Sequence, residues 1–136
     1  KNNDLIKLNQ ILKLKGIKSI KLPVSAPFHC KLMENATKTM KEEIEKVNFM
    51  DGKNVLISNV TADEITDKNR LKSLLIEQIE NRVRWRESVL KMIDKGVNQF
   101  VEIGPGKVLS GLVKRINKDV KISTINTESD IKELKI

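Results

Sequence analysis

The 136-residue sequence predicts an α/β fold in which helices alternate with the strands of a mainly parallel sheet. Three observations lead to this prediction. Apolar residues recur at helical spacing in several segments, short β-branched runs separate those segments, and Gly or Pro follows several of them. The composition, 39% hydrophobic and 32% charged, is that of a globular protein with one core.

The N-terminal segment predicts a helix followed by a strand. Over residues 4–15 apolar side chains return every three or four positions, and Gly16 follows as a C-terminal stop. Residues 17–24 have the length and the β-branched content of a strand. The apolar face of the helix consists of Leu5, Leu8, Ile11 and Leu12.

The next segment predicts a second helix that starts near Ser25. Serine is a favourable N-cap, and Pro27 in the first turn has no N–H to leave unsatisfied. His29 then lies in that first turn, where the partial positive charge of the helix N-terminus disfavours a second proton on its ring. Apolar residues at i, i+4 spacing continue the helix through Leu32, Ala36, Met40, Ile44 and Val47.

The second half of the chain alternates more regularly. In the helix predicted at 83–95, one face carries Trp85, Val89, Met92 and Ile93. The elements predicted around it are a buried strand at 54–60, a polar loop ending in a cap at Asp67, a helix at 69–79, a strand at 99–103, a tight turn at 104–106, a helix at 107–117, a strand at 120–125 and a short helix from Ser129.

The composition argues against several classes of protein. His29 and Cys30 are the only residues of their types, so no multi-histidine metal site and no intrachain disulfide form, and a reducing compartment is favoured. No apolar run approaches the roughly 18 residues that span a bilayer. The net charge of +8 favours an acidic partner, although AT-rich coding, which favours lysine, explains the charge equally well. The absence of tyrosine argues against binding of single-stranded nucleic acid.

His29 is the candidate catalytic residue, since a neutral imidazole is a suitable general base. No serine stands in the G-x-S-x-G pattern that exposes a nucleophile at a strand-to-helix turn. The run Gly104 to Lys107 does not have Walker A spacing, and we interpret it as a turn rather than as the start of an anion site. The chain therefore offers a base without an evident nucleophile, and Lys1 in place of Met indicates a piece of a longer protein.

Four segments, taken together and in order, resemble the malonyl-CoA:acyl carrier protein transacylases. They are LPVSAPFHCKLM (22–33), NVLISNV (54–60), the Q-x-x-N-x-V-x-W stretch from Gln78 to Trp85, and FVEIGPGKVLSGLVKRI (100–116). The resemblance covers nearly the whole chain. One departure is that Arg82 stands where the family commonly has proline.

The resemblance implies the C-terminal part of an α/β-hydrolase-like acyltransferase domain into which a ferredoxin-like subdomain is inserted. Residues 1–24 would end that subdomain, and residues 25–136 would belong to the catalytic domain. The family reaction passes malonyl from coenzyme A to a serine and then to the phosphopantetheine thiol of acyl carrier protein. That serine and the arginine that binds the malonyl carboxylate would lie upstream of this chain.

The resemblance also implies roles for six residues. His29 would be the general base, and the backbone carbonyl of Gln78 would orient its ring. Phe28 and Val108 would lie near the acyl group, with core packing as the alternative for both. Lys114 and Arg115 would meet the acidic carrier protein, with stabilisation of the helix C-terminus as the alternative.

No cofactor beyond the substrates, no metal, no nucleic acid and no membrane are expected. The expected partners are acyl carrier protein, malonyl-CoA and the N-terminal part of the same enzyme, which we expect to be monomeric when complete and cytoplasmic, or plastid or mitochondrial in a eukaryote. Two rival interpretations stay open: the acyltransferase domain of a polyketide synthase, and a non-catalytic basic domain that binds an acidic partner.

Overall fold

The fold is mixed α/β, as predicted. The computed structural model describes residues 2–20 and 24–134. Six α-helices and four strands are present in this part of the chain, in the order α1 (Asn2–Leu14), α2 (Glu34–Lys46), β1 (Leu56–Ile57), β2 (Glu64–Ile65), α3 (Lys68–Glu77), α4 (Trp85–Asp94), β3 (Gln99–Ile103), α5 (Val108–Ile116), β4 (Lys121–Ile125) and α6 (Glu128–Glu133).

The core lies in the second half of the chain, where β3 and β4 pair in parallel from Gln99 opposite Lys121 to Ile103 opposite Ile125. Helix α5 packs on both strands and on α4. Val89 of α4 is fully buried at the centre, and burial of such a side chain stabilises the fold by about 1.5–3 kcal/mol. The predicted apolar face of α4 is confirmed, because the cluster contains Val89, Val113 and Val120, packed against Trp85, Met92, Ile93, Phe100, Ile116 and Ile122.

Three predicted features of the second half of the chain are confirmed: a helix cap, a turn and a short C-terminal helix. Asp67 caps α3, and its carboxylate accepts a hydrogen bond from the N–H of Arg70 at 2.6 Å. Gly104 and Gly106 form the turn after β3 with φ angles of 136° and 98°, conformations that disfavour any residue with a side chain. The tail forms α6, which Thr127 and Asp130 begin as a capping box.

The strands form two separate two-stranded sheets, one antiparallel and one parallel, so the single, mainly parallel sheet that was predicted is wrong for the described residues. The strand expected over 17–24 is wrong for residues 17–20 and for Val24, which form no strand, and residues 21–23 lie outside the described residues. A strand needs a hydrogen-bonded neighbour, and none pairs with this segment in the described chain. The strand expected over 54–60 shortens to β1, which pairs antiparallel with β2 inside the segment predicted to be a polar loop.

The expected start of α2 is also wrong. A 3₁₀ turn at Lys31–Met33 precedes the α-helix, and Ser25 caps neither element. His29 lies before both, with a φ of 60°, in the left-handed region that is uncommon for residues other than glycine. His29 therefore does not lie in the first turn of a helix, and the expected effect of a helix N-terminus on its ring does not apply.

Helices α1 and α2 are present, as predicted, but their apolar faces are mostly exposed. The apolar face of α1 is open, with Leu5, Leu8 and Ile11 about half exposed. On α2 only Ile44 is buried. Helix periodicity thus places the elements correctly, while the surfaces that would cover these faces are not found among the described residues. No helix in residues 2–20 and 24–134 is long and apolar enough to cross a membrane.

Candidate functional site

The candidate site is the exposed turn that carries His29. Cys30 stabilises this turn by donating from Sγ to the Pro27 carbonyl at 3.2 Å. Nδ1 of His29 lies 2.9 Å from the backbone oxygen of Gln78, which is 49 residues away in sequence. The structure therefore joins the two residues that the resemblance implies should meet.

The Gln78 carbonyl is free to accept this bond because it lies at the C-terminus of α3, where carbonyls have no partner within the helix. The preceding carbonyls are occupied: Leu74 O accepts from Gln78 N, Ile76 O from Ile79 N, and Glu77 O from Asn81 N. The partial negative charge at this helix end also favours a donor there.

This contact determines which nitrogen of His29 carries the proton. A carbonyl oxygen only accepts, so Nδ1 must donate. In the neutral ring, Nε2 then has the free lone pair, which is what a general base needs. The arrangement can orient a proton acceptor without a second charged group.

Of the other predicted site residues, Phe28 lies in the same turn, directly before His29, and is 55% exposed in this chain. Val108, Lys114 and Arg115 lie on α5. In the described part of the chain, no hydrogen bond joins any of these three to His29 or Gln78.

Lys114 has a local role. Its Nζ donates to the backbone oxygen of Lys118 at 2.7 Å, just beyond the C-terminus of α5. This agrees with the helix-end alternative, while the charge stays exposed at the surface. Arg115 lies beside a groove of about 420 Å³ with Arg82, Trp85 and Arg86. Glu87 lines the same groove and pairs with Arg82 at 3.1 Å, so three arginines and one glutamate give the groove a net positive charge.

The role of Glu102 was not predicted from the sequence. This β3 residue accepts hydrogen bonds from the N–H groups of Leu109 at 3.1 Å and of Ser110 at 2.7 Å. These N–H groups belong to the first turn of α5, so a carboxylate of the chain itself occupies the place where an external anion would bind. The interpretation of residues 104–107 as a turn is confirmed. The available signal for this role was the position of Glu102, two residues before a Gly-Pro-Gly turn that leads into a helix.

We predict that Glu102 makes the stability of the fold depend on acid pH. The N–H groups of Ser110 and Leu109, which donate to the Glu102 carboxylate, hold the pKa of that carboxyl below its ordinary value. Because the pKa is lower in the folded state, this stabilisation is present above the ordinary glutamate pKa and is lost as pH falls through the folded-state value. In thermal melts, Glu102→Gln should melt below the parent at neutral pH, and the difference should shrink on acidification. A difference that is the same at all pH values would contradict the prediction.

Asn59 and Arg84 also make contacts at this site that were not predicted from the sequence. Asn59 donates from Nδ2 to Gln78 Oε1 at 3.2 Å, and the N–H of Arg84 donates to the Asn59 carbonyl at 2.8 Å. Both contacts join segments that are far apart in sequence. The available signal for Asn59 was its place in NVLISNV (54–60), one of the four segments that carry the resemblance.

The chain is similar to known proteins over most of its length. It is 44% identical over 124 residues to the malonyl CoA-acyl carrier protein transacylase of Bacillus subtilis, covering 90% of this chain and 39% of that protein. A solved acyl-carrier-protein-S-malonyltransferase from Bartonella henselae superposes with a TM-score of 0.82 at 44% identity, covering 91% of this chain and 40% of the other.

A third similar structure is a malonyl-transacylase in complex with its type II PKS acyl-carrier protein. It has a TM-score of 0.82 at 31% identity, with 94% of this chain and 42% of that one covered. No protein-family model matches the chain. The chain spans about two fifths of the length of these relatives. In sequence and in fold, the chain matches a part of the malonyl-CoA:acyl carrier protein transacylases.

Proposed function

We propose that this chain is the C-terminal part of an acyltransferase that moves malonyl from coenzyme A to acyl carrier protein, and that His29 is its general base. The observation that carries the proposal is the 2.9 Å contact between His29 Nδ1 and the Gln78 carbonyl. That contact leaves Nε2 of the neutral ring as the proton acceptor. The similarity to transacylases of this activity supports the substrate class.

The proposed reaction has two symmetrical halves. Nε2 of His29 takes the proton of a serine hydroxyl. That serine would belong to the part of the complete enzyme that this chain does not contain. The serine oxygen attacks the malonyl thioester, the carbon–sulfur bond breaks, and His29 returns the proton to the coenzyme A thiolate. In the second half, His29 takes the proton of the phosphopantetheine thiol, and the sulfur attacks the serine ester. The ester carbon–oxygen bond breaks, and His29 returns the proton to the serine oxygen.

Two finer parts of the proposal concern domains and location. The proposed architecture is an α/β-hydrolase-like domain formed by residues 25–136, with residues 1–24 ending a ferredoxin-like insertion. The open apolar face of α1 supports this, since that face needs a covering surface. The absence of a cofactor, the monomeric state and the cytoplasmic location, with a plastid or mitochondrion as alternatives, stay predictions.

The proposed carrier protein is acidic, and the basic surface on α5 supports this partner. A relative of 31% identity has been solved with its type II PKS acyl-carrier protein. The same docking chemistry would serve fatty acid or polyketide synthesis, so assays with a carrier protein from each kind of pathway would decide between them. The larger kcat/KM identifies the partner.

The proposal is tested by a malonyl-transfer assay on the complete enzyme, with malonyl-CoA and carrier protein as substrates. Transfer by the parent and its loss in His29→Ala support the proposal. A parent enzyme that binds carrier protein but transfers no acyl group would support the rival interpretation as a non-catalytic basic domain.

We predict that Lys114→Glu with Arg115→Glu raises the KM for carrier protein roughly ten-fold at low salt, because exposed charges mainly steer encounter. The KM for malonyl-CoA should change little. The effect should fade as salt screens the charges. Lys38→Glu with Lys46→Glu, the same charge change on α2, serves as the control. Equal effects on both substrates would contradict a docking role.

We predict that Gln78→Ala in the complete enzyme lowers turnover by no more than about five-fold, the contribution of one neutral hydrogen bond. The carbonyl that accepts from His29 belongs to the backbone and survives the substitution, and only the contact of Oε1 with Asn59 is lost. Steady-state kinetics at neutral pH measure the effect. Abolished turnover with an intact circular dichroism spectrum would show that the side chain does more than support the backbone carbonyl.

A further inference from the structure

The Gln78 carbonyl can orient His29 only if the end of α3 is held in place. Asn59 lies at that point. Its Nδ2 donates to Gln78 Oε1 at 3.2 Å from a turn 19 residues earlier in the chain, and the pair is partly buried. The same residue whose backbone holds His29 is thus held through its side chain.

Asn59 also contacts the far end of the connection between α3 and α4. Its backbone oxygen accepts from the N–H of Arg84, the residue before α4, at 2.8 Å. Arg84 in turn donates from Nη1 to the Thr61 carbonyl at 2.8 Å. One turn therefore fixes both ends of the segment from Gln78 to Arg84.

The turn that carries Asn59 is itself well ordered by internal hydrogen bonds. Buried Ser58 accepts at Oγ from the N–H groups of Val60 and Thr61, and its carbonyl accepts from Ala62 N at 2.9 Å. The N–H of Ser58 donates to the Asp63 carbonyl at 3.0 Å. The turn can serve as a preformed support, because its conformation does not depend on the Asn59 side chain.

The surroundings strengthen the contact between the two side chains. Asn59 and Gln78 line a cleft of about 280 Å³ between the turn and α3, together with Leu56, Leu71 and Leu75. Apolar walls lower the local dielectric, so a hydrogen bond there competes less with water than one at an open surface.

We propose that Asn59 is a positioning residue that holds the carbonyl of Gln78 and, through it, the Nδ1–H tautomer of His29. The consequence for catalysis rests on the proposed function. The geometric part rests only on the contacts described above. Asn59 itself touches no reacting atom.

His29 is the only histidine of the chain, so imidazole ¹⁵N NMR of the untagged 136-residue protein reports on it without ambiguity. At a pH where the ring is neutral, we expect the Nδ1–H tautomer to predominate. Asn59→Ala should lower the ratio of the Nδ1–H to the Nε2–H tautomer by roughly two- to ten-fold, the weight of one hydrogen bond. Asn81→Ala is the matched control, since Asn81 donates from Nδ2 to the neighbouring Glu77 carbonyl and should leave the ratio unchanged.

Gln78→Ala keeps the turn intact and tests the same contact from the other side. It should lower the tautomer ratio as Asn59→Ala does, and the double variant should go no further, because one interaction is lost in all three. An unchanged ratio in Gln78→Ala or in folded Asn59→Ala overturns the inference, whatever the enzyme transfers. If the ratio responds but the complete enzyme transfers no malonyl, the inference stands and the proposed function fails.

Discussion

Replacing His29 with alanine is expected to lower malonyl transfer by the complete enzyme roughly 10²- to 10⁴-fold, the usual range for loss of a positioned acid–base group. The reason is that Nε2 is the proton acceptor left free when Nδ1 donates to Gln78. Both half-reactions need it, so acylation of the serine and transfer to carrier protein should fall together. Single-turnover measurements of serine acylation check the first half directly.

The fold should survive this substitution, because the His29 side chain is exposed. His29→Asn is the matched variant. Asparagine tolerates the left-handed backbone at this position and keeps an N–H that can donate to the Gln78 carbonyl, but it has no basic nitrogen. It should be as inactive as alanine. An active His29→Asn variant would show that this residue shapes the turn and does not move a proton.

The core could be predicted from the sequence because its signals are local. The spacing of Trp85, Val89 and Met92 identifies one face of α4, and a β-branched run followed by Gly104 identifies β3 and its turn. Helix periodicity follows from the geometry of the helix alone, so no knowledge of distant residues is needed. These elements accordingly appear close to their predicted bounds.

The strands and the His29 turn were harder to predict from the sequence, because their conformations depend on contacts with residues far away in the chain. Residues 17–20 have a strand composition but no neighbouring strand in the described chain. Pro27 fits a helix start, yet the chain turns at His29 with a φ of 60° so that the ring reaches Gln78. A contact between residues 49 positions apart overrides the local preference.

The site divides in the same way. The pairing of His29 with the Gln78 carbonyl was predicted from the resemblance, since a motif preserves a long-range contact that periodicity does not encode. The roles of Asn59 and Glu102 were not predicted, because each depends on hydrogen bonds to residues that only the fold brings near. Their side chains fit ordinary turn and strand-end positions equally well, so the fold was needed to identify them.

The second large effect is that this chain, incubated alone with malonyl-CoA, should form no malonyl ester. It contains the base but no serine in the G-x-S-x-G pattern, and a base alone cannot hold the acyl group. The complete enzyme should acquire one malonyl group per molecule under the same conditions, and its His29→Ala variant should acquire it far more slowly. The complete enzyme is therefore the positive control.

Mass spectrometry of the intact chain after incubation is the most direct test, because the proposed catalytic site is divided between a histidine on this chain and a nucleophile elsewhere. The predicted result is an unchanged mass for the 136-residue chain. A stable, stoichiometric malonyl adduct on any of its residues would show that the nucleophile lies here and that the proposed division of the site is wrong.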